Sequence, residues 1–274
     1  MKAKAQKVAL KSRKQVFGAL SGNNISAFRG EGFEFSELRE YIYGDDIRTI
    51  DWKTTAKLGK PYVKVYHEER ELNVVVATML GGSTFFGITK PKSEYIVELM
   101  AILGYSAIRN KDNFSHILYA DKLYRYSKPS KKIFAVNKEV EEALEFNVLK
   151  KPSNFDGWVE ELNKRVRKKS LLFLIGDFVG EINLSLLAKK HDLVILIVRD
   201  YFIENPKPMG EVTLIDPGYM TGFRGNFDSS SVAIYKAALK QNDKELYNHL
   251  RKIGARFAKF YTHEDPYLQL IKRL

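Results

Sequence analysis

Leu72-Asn73-Val74-Val75-Val76-Ala77-Thr78-Met79-Leu80, followed at once by Gly81-Gly82-Ser83-Thr84, is the stretch on which the fold turns. It is valine-rich and apolar at almost every position, without the alternation of a strand that keeps one face wet. A parallel strand with helices over both faces reads this way. The glycine pair marks a sharp turn, and the spacing beyond it predicts a helix over Lys92 to Arg109.

Outward from this unit the pattern repeats. Phe114 to Tyr119, Ser170 to Ile175 and Leu193 to Val198 have strand character, separated by helix-compatible stretches such as Val136 to Leu149 and Gly157 to Lys168. Glu211 to Ile215 suggests a further strand, Ser229 to Phe257 a long polar helix, and Lys259 to Tyr261 a last strand. The alternation predicts an α/β fold, a doubly wound and mainly parallel sheet covered by helices on both faces. Upstream, residues Phe33 to Tyr66 mix aromatics with charges, break at Gly59-Lys60-Pro61 and end in the alternating Tyr62-Val63-Lys64-Val65-Tyr66, the mark of a small irregular β module. Lys2 to Leu20 sets Val8, Leu10, Val16 and Phe17 among lysines, an amphipathic helix that either docks on the protein's own body or lies on a membrane surface. The expected division is 1–70 for helix and β module and 71–274 for the α/β domain.

The chain has 274 residues, 45% of them hydrophobic, enough to bury a substantial core. It has no cysteine, which excludes disulfides, thiolate nucleophiles and cysteine-based metal sites. No segment approaches the ~20 consecutive apolar residues of a membrane span, so a cytoplasmic protein is expected, with peripheral contact to the inner membrane open through the N-terminal helix. A net charge of +12 favours anionic partners. Nucleic acid is the alternative this suggests, with Tyr124 and Tyr126 among the basic residues of Lys122 to Lys128, but no nucleic-acid-binding motif accompanies the charge. His67, His116, His191, His249 and His263 are scattered, no HExxH or G-x-S-x-G spacing occurs, and no catalytic activity is expected.

Three ordered segments carry a family resemblance. The first is Gly30-Glu31-Gly32-Phe33-Glu34-Phe35-Ser36-Glu37-Leu38-Arg39-Glu40-Tyr41, continuing through Gly44-Asp45-Asp46-Ile47-Arg48-Thr49-Ile50-Asp51-Trp52-Lys53. The second is the strand ending in Gly176-Asp177-Phe178. The third is Arg199-Asp200 with Glu204, Gly210 and Asp216-Pro217, then Thr262 and Asp265-Pro266. Together they resemble the bacterial family called domain of unknown function 58, whose members look like von Willebrand factor A domains preceded by a β module.

The resemblance implies a metal-ion-dependent adhesion site of pattern Asp-x-Ser-x-Ser after the first sheet strand, aided by a later Thr and Asp. Aligned on Phe86-Gly87, Met79 stands at the aspartate, Gly81 at the first serine and Ser83 at the second. Asp177 matches the later aspartate. The threonine position falls in Ser153 to Asp156, where Asn154 offers an amide oxygen. With Ser83 and Asp177 as the remaining ligand-type residues the site is degenerate and no cofactor is expected. A weakened magnesium site, with Thr78 and Ser83 turned inward by a shifted register, is the alternative. Gly81, Gly82, Ser83, Thr84 and Asp177 then form a crevice for a partner, the backbone N–H groups of the loop being suited to an acidic side chain or phosphate. Arg39, Asp45, Asp46, Arg48, Asp51 and Lys53 form a candidate docking surface, weighed against a purely local structural role over Trp52, Tyr41 and Phe35. The family resemblance implies an adaptor that works with a MoxR-type AAA+ ATPase in maturation or assembly of a client protein.

Overall fold

The structure is a computed structural model that describes residues 2–18, 37–45, 47, 50–65 and 71–274. Two compact units result, one made of Met1–Ala27 with Leu72–Leu274 and the other of Phe28–Glu71. The first element, helix α1 (Lys2–Gly18), therefore groups with the α/β body rather than with the β module, and the units divide between Glu71 and Leu72.

The smaller unit holds β1 (Glu37–Glu40), the short helix α2 (Trp52–Leu58) and β2 (Tyr62–Val65). The two strands pair antiparallel, Glu40 opposite Tyr62. Gly59 ends α2 with φ of 71°, a left-handed position that glycine adopts without steric cost.

In the larger unit the chain runs through β3 (Asn73–Met79), α3 (Lys92–Arg109), β4 (Asn113–Tyr119), β5 (Leu123–Tyr126), α4 (Ile133–Glu145), α5 (Phe155–Arg165), β6 (Leu171–Gly176), α6 (Ser185–Lys190) and β7 (Asp192–Arg199). It continues with α7 (Tyr201–Glu204), β8 (Gly210–Ile215), β9 (Gly222–Phe227), α8 (Ser229–Lys252), β10 (Arg256–Tyr261) and α9 (Pro266–Arg273). Six strands form one sheet in the order β10-β7-β6-β3-β4-β5. All neighbours are parallel except β4 and β5, which pair antiparallel at the edge.

The central strands are the apolar runs: β6 is buried throughout, and β3 and β7 from their second residue onward. Val75, Ala77 and Met79 of β3 pack in one core cluster with Trp158, Leu162, Phe178 and Leu246. Nearly all of α3 is buried, packed on the sheet with α1 and α4 beside it. Ala5, Val8, Ser12 and Val16 form the buried stripe of α1, Lys4 pairs with Glu94 at 2.7 Å, and the Arg109 guanidinium donates to the Val16 carbonyl. The stripe thus rests on the body, the first of the two placements that its pattern allows. Among the described residues no helix is long and apolar enough to cross a bilayer.

Three further departures have local causes. Leu123–Tyr126, within the basic stretch and not anticipated as a strand, is one; its alternating half-exposure is that of an edge. Gly210–Ile215 is extended but pairs only with β9, in a separate two-stranded ribbon, because its largely exposed residues offer no apolar face to the main sheet. The long helix stops at Lys252, since Gly254 turns left-handed at φ 68° before β10 begins.

Candidate functional site: the carboxyl end of the sheet

From β3 the chain passes to β4 on one side, and it later returns to lay β6 on the other. The carboxyl ends of β3 and β6 therefore form the topological switch point, where an open α/β sheet ordinarily leaves a crevice. Ser83 and Asp177 do meet here, but the crevice is not open. A Cβ on Gly81 would stand 2.2 Å from the Ser153 hydroxyl, and one on Gly82 2.3 Å from the Gly218 nitrogen. Both positions thus need glycine for close approach. The Gly82 N–H donates to the Lys151 carbonyl (2.7 Å), the Lys150 N–H to the Pro217 carbonyl (2.9 Å), and the Thr84 N–H to Gly81 (2.9 Å). Gly81, Gly82 and Thr84 are buried and Ser83 half-buried. The predicted docking crevice is filled by the chain's own segments 150–153 and 216–218, and the N–H groups of Gly82 and Thr84, expected to be open to an anion, are spent internally.

Asp177 follows β6 and is 1% exposed. Its Oδ2 accepts from the Lys92 ammonium at 2.9 Å, and Lys92 is itself buried. Burial pushes the Asp177 carboxyl up, yet Lys92, the nearby Arg199 and the Ser83 hydroxyl together hold it below the ordinary carboxylate value. Oδ1 has no hydrogen-bond partner. Lys92 is the first residue of α3, where the positive end of the helix dipole disfavours a cation. A lysine at that position is the signal that could have marked it as an anion's partner; the sequence reading passed over it.

The other predicted ligands separate. The Ser83 hydroxyl lies 3.4 Å from that of Ser153, so Ser153 stands nearest the missing threonine, while Asn154 spends its side-chain oxygen on the Gly157 N–H as cap of α5. Met79 is fully buried in the apolar core. Thr78 points to the opposite face, its hydroxyl 3.0 Å from His116 Nε2, which corrects the shifted-register alternative. The donor set does not fit a divalent cation: an ammonium already sits on the lone carboxylate, and the remaining donors are neutral hydroxyls.

Thr78 belongs to a chain that sequence inspection missed. His116 Nδ1 lies 3.1 Å from Glu139, which also accepts from Arg125 Nε at 2.7 Å. Threonine, histidine and glutamate stand in the order of nucleophile, base and orienting acid. All three are buried, so no substrate reaches the threonine, and the chain instead ties α4 to β3 and β4.

In the smaller unit Arg39 binds Asp45 through two nitrogens at 2.7 and 2.6 Å, and Asp45 also accepts from the Ile42 N–H. The guanidinium holds the Asp45 carboxyl below its ordinary value. Asp51 caps α2 by accepting from the N–H groups of Lys53 and Thr54. Arg39, Asp45 and Asp51 thus serve local backbone geometry; Lys53 keeps an exposed side chain, and Asp46 and Arg48 lie outside the described residues. Trp52 does not pack beneath these charges but is exposed, as is Tyr43, and Phe35 lies outside the described residues.

Large apolar side chains are exposed in the loops around the filled switch point. Phe85, Phe86 and Ile88 follow β3, Val179 follows β6, Tyr201 follows β7, and Tyr219 and Met220 occupy the turn between β8 and β9; all are exposed. Phe86 and Phe202 approach with ring centroids 6.0 Å apart, joining the first and third of these loops.

Fold and site define an α/β protein with a central, mostly parallel six-stranded sheet flanked by helices and a lysine-neutralised carboxylate at its switch point. The chain belongs to the family described as "Protein of unknown function DUF58", which it matches over residues 37–244. Uncharacterized proteins of Mycobacterium bovis and Mycobacterium tuberculosis are each 23% identical over 215 residues, covering 74% of this chain and 67% of theirs. Among solved structures it is similar to the conserved hypothetical protein BatB from Bacteroides thetaiotaomicron (9% identity, TM-score 0.42, 74% of this chain and 96% of that one). An aerotolerance-related membrane protein from Bacteroides fragilis matches to the same extent at 7% identity, with TM-score 0.42 over 74% of this chain and 96% of its own.

Proposed function

We propose that this chain is a non-catalytic protein-interaction adaptor of von Willebrand factor A-like architecture, in which an internal ion pair has replaced the metal. The supporting observation is the collar of exposed large apolar residues at the carboxyl end of the sheet, contributed by four separate loops. Large apolar side chains exposed together at one end of a sheet suit a protein-binding face. With Lys92 neutralising Asp177, the face holds no ion to bridge to a partner's carboxylate, so contact is made by apolar burial. The partner is a MoxR-type AAA+ ATPase, which supplies the energy for maturing a client, and the adaptor works in the cytoplasm without a cofactor.

Co-migration of the purified chain with a MoxR-type ATPase of the source organism on size exclusion, in ATP or ADP, tests the reading. A complex with the wild type that Phe85→Ser/Ile88→Ser abolishes is expected; no association in either nucleotide state overturns it. Calorimetric titration with magnesium and manganese tests the metal-free part. Micromolar binding abolished by Asp177→Ala is the result that would sink it.

A further inference from the structure

We propose that a second site, on the far edge of the sheet, binds a small, multiply charged phosphate ligand. A concave cavity of about 500 Å³ lies along α8 beside α7 and β10, within the size range of small-molecule pockets. Lys236, Lys240, Lys244 and Arg251 line it, with the amides of Asn205 and Asn248 among them.

Two carboxylates, Glu204 and Asp243, share the lining, and both are paired from within. Glu204 accepts from Lys259 at 2.6 Å and from the Tyr261 hydroxyl at 2.7 Å. Asp243 accepts from Lys259 at 2.7 Å and from the buried Arg199 at 2.8 Å. Each of their four oxygens thus accepts one hydrogen bond, and their two charges are balanced by Lys259 and Arg199 rather than by the cations on α8.

Those cations are themselves anomalous. Lys236, Lys240 and Lys244 are spaced four apart, so they stack along one face of the helix, where like charges repel. Asp243 is the sole acidic residue three or four positions from any of them, and it is paired with Arg199 and Lys259 instead. Arg251 has a reason of its own, since a cation in the last turn offsets the helix dipole; the three lysines have none. Their row spans ~12 Å at the α-helical rise, longer than one carboxylate and suited to a short run of phosphates. Lysine ammonium groups bind such oxygens as point charges. The concavity favours a small ligand over a flat macromolecular surface.

Inorganic tripolyphosphate, ATP and vesicles containing phosphatidylglycerol, each titrated against the full chain at physiological ionic strength, separate a bare phosphate chain, a nucleotide and a lipid headgroup. No ATPase is present, so the result is independent of partner docking. Saturable binding of at least one ligand is expected, weakened at least tenfold by Lys240→Gln/Lys244→Gln and unchanged in the charge-matched Lys138→Gln/Lys168→Gln, whose exposed lysines lie elsewhere. Circular dichroism confirms that both variants are folded. Absence of saturable binding to all three, or equal weakening in the two variants, overturns the proposal.

Discussion

Lys92 and Asp177 lie 85 positions apart, and each is buried with the other as its main counter-charge. Lys92→Met would leave a carboxylate in the interior with no ammonium against it, and removing one member of a buried pair costs about 3–5 kcal/mol. Urea denaturation near neutral pH should show that loss, while Lys92→Met/Asp177→Leu should recover most of it, because the cost lies in the orphaned charge. Acid offers an independent check. The folded Asp177 carboxyl sits below its ordinary 3.8, so its contribution is complete above that value and is lost as the pH falls through the lower folded value. The acid arm of a stability profile should therefore flatten in Asp177→Asn; an unchanged arm would mean that Asp177 is not ionised in the fold. At this scale the sequence revealed Asp177 and Ser83 through their motif positions. It bounded the threonine position to Ser153 to Asp156 without singling out Ser153, and it set Lys92 at the start of a helix without joining it to Asp177, because that pairing spans 85 positions.

At the scale of elements, what could be read depended on whether burial left a pattern. The strands β3, β6 and β7 are near-continuous apolar runs because helices cover both faces, and their limits were legible to within a residue or two. The short edge strand β5 and the exposed ribbon of β8 and β9 carry no such imprint, so β5 and β9 were overlooked and β8 was legible only as a strand without a stated partner. Helix α1 shows the same limit: its apolar stripe was evident, but the surface covering it lies far along the chain. The loop after β3 gives the sharpest test. Gly82→Ala would press a methyl group onto the backbone of Pro217 and Gly218, neither of which can rotate away. Overpacking of this kind costs about 1–3 kcal/mol. Gly222→Ala on β9 meets nothing closer than 3.9 Å and should stay within about 0.5 kcal/mol of the wild type. Thermal melts of the two variants side by side should separate them; equal melting points would mean that the hairpin turn does not close on the loop.

Across the whole chain, 45 basic residues stand against 33 acidic ones, and the resulting +12 charge draws any anionic partner by long-range attraction. The apolar collar of the larger unit acts differently, because it gains only when water is displaced from both surfaces. These two modes respond differently to salt. Attraction through net charge weakens steeply as ionic strength rises, most of all if the partner is nucleic acid whose counterions are released, whereas burial of Phe85, Ile88 and Tyr201 is little affected. Phe85→Ser/Ile88→Ser leaves the charge untouched and, being confined to exposed positions, should change stability by no more than about 0.5 kcal/mol per site. Association with the ATPase should therefore persist at raised salt in the wild type and be lost at every salt concentration in the variant. An association that the variant retains and that salt alone abolishes would reassign recognition from the carboxyl end of the sheet to the basic surface.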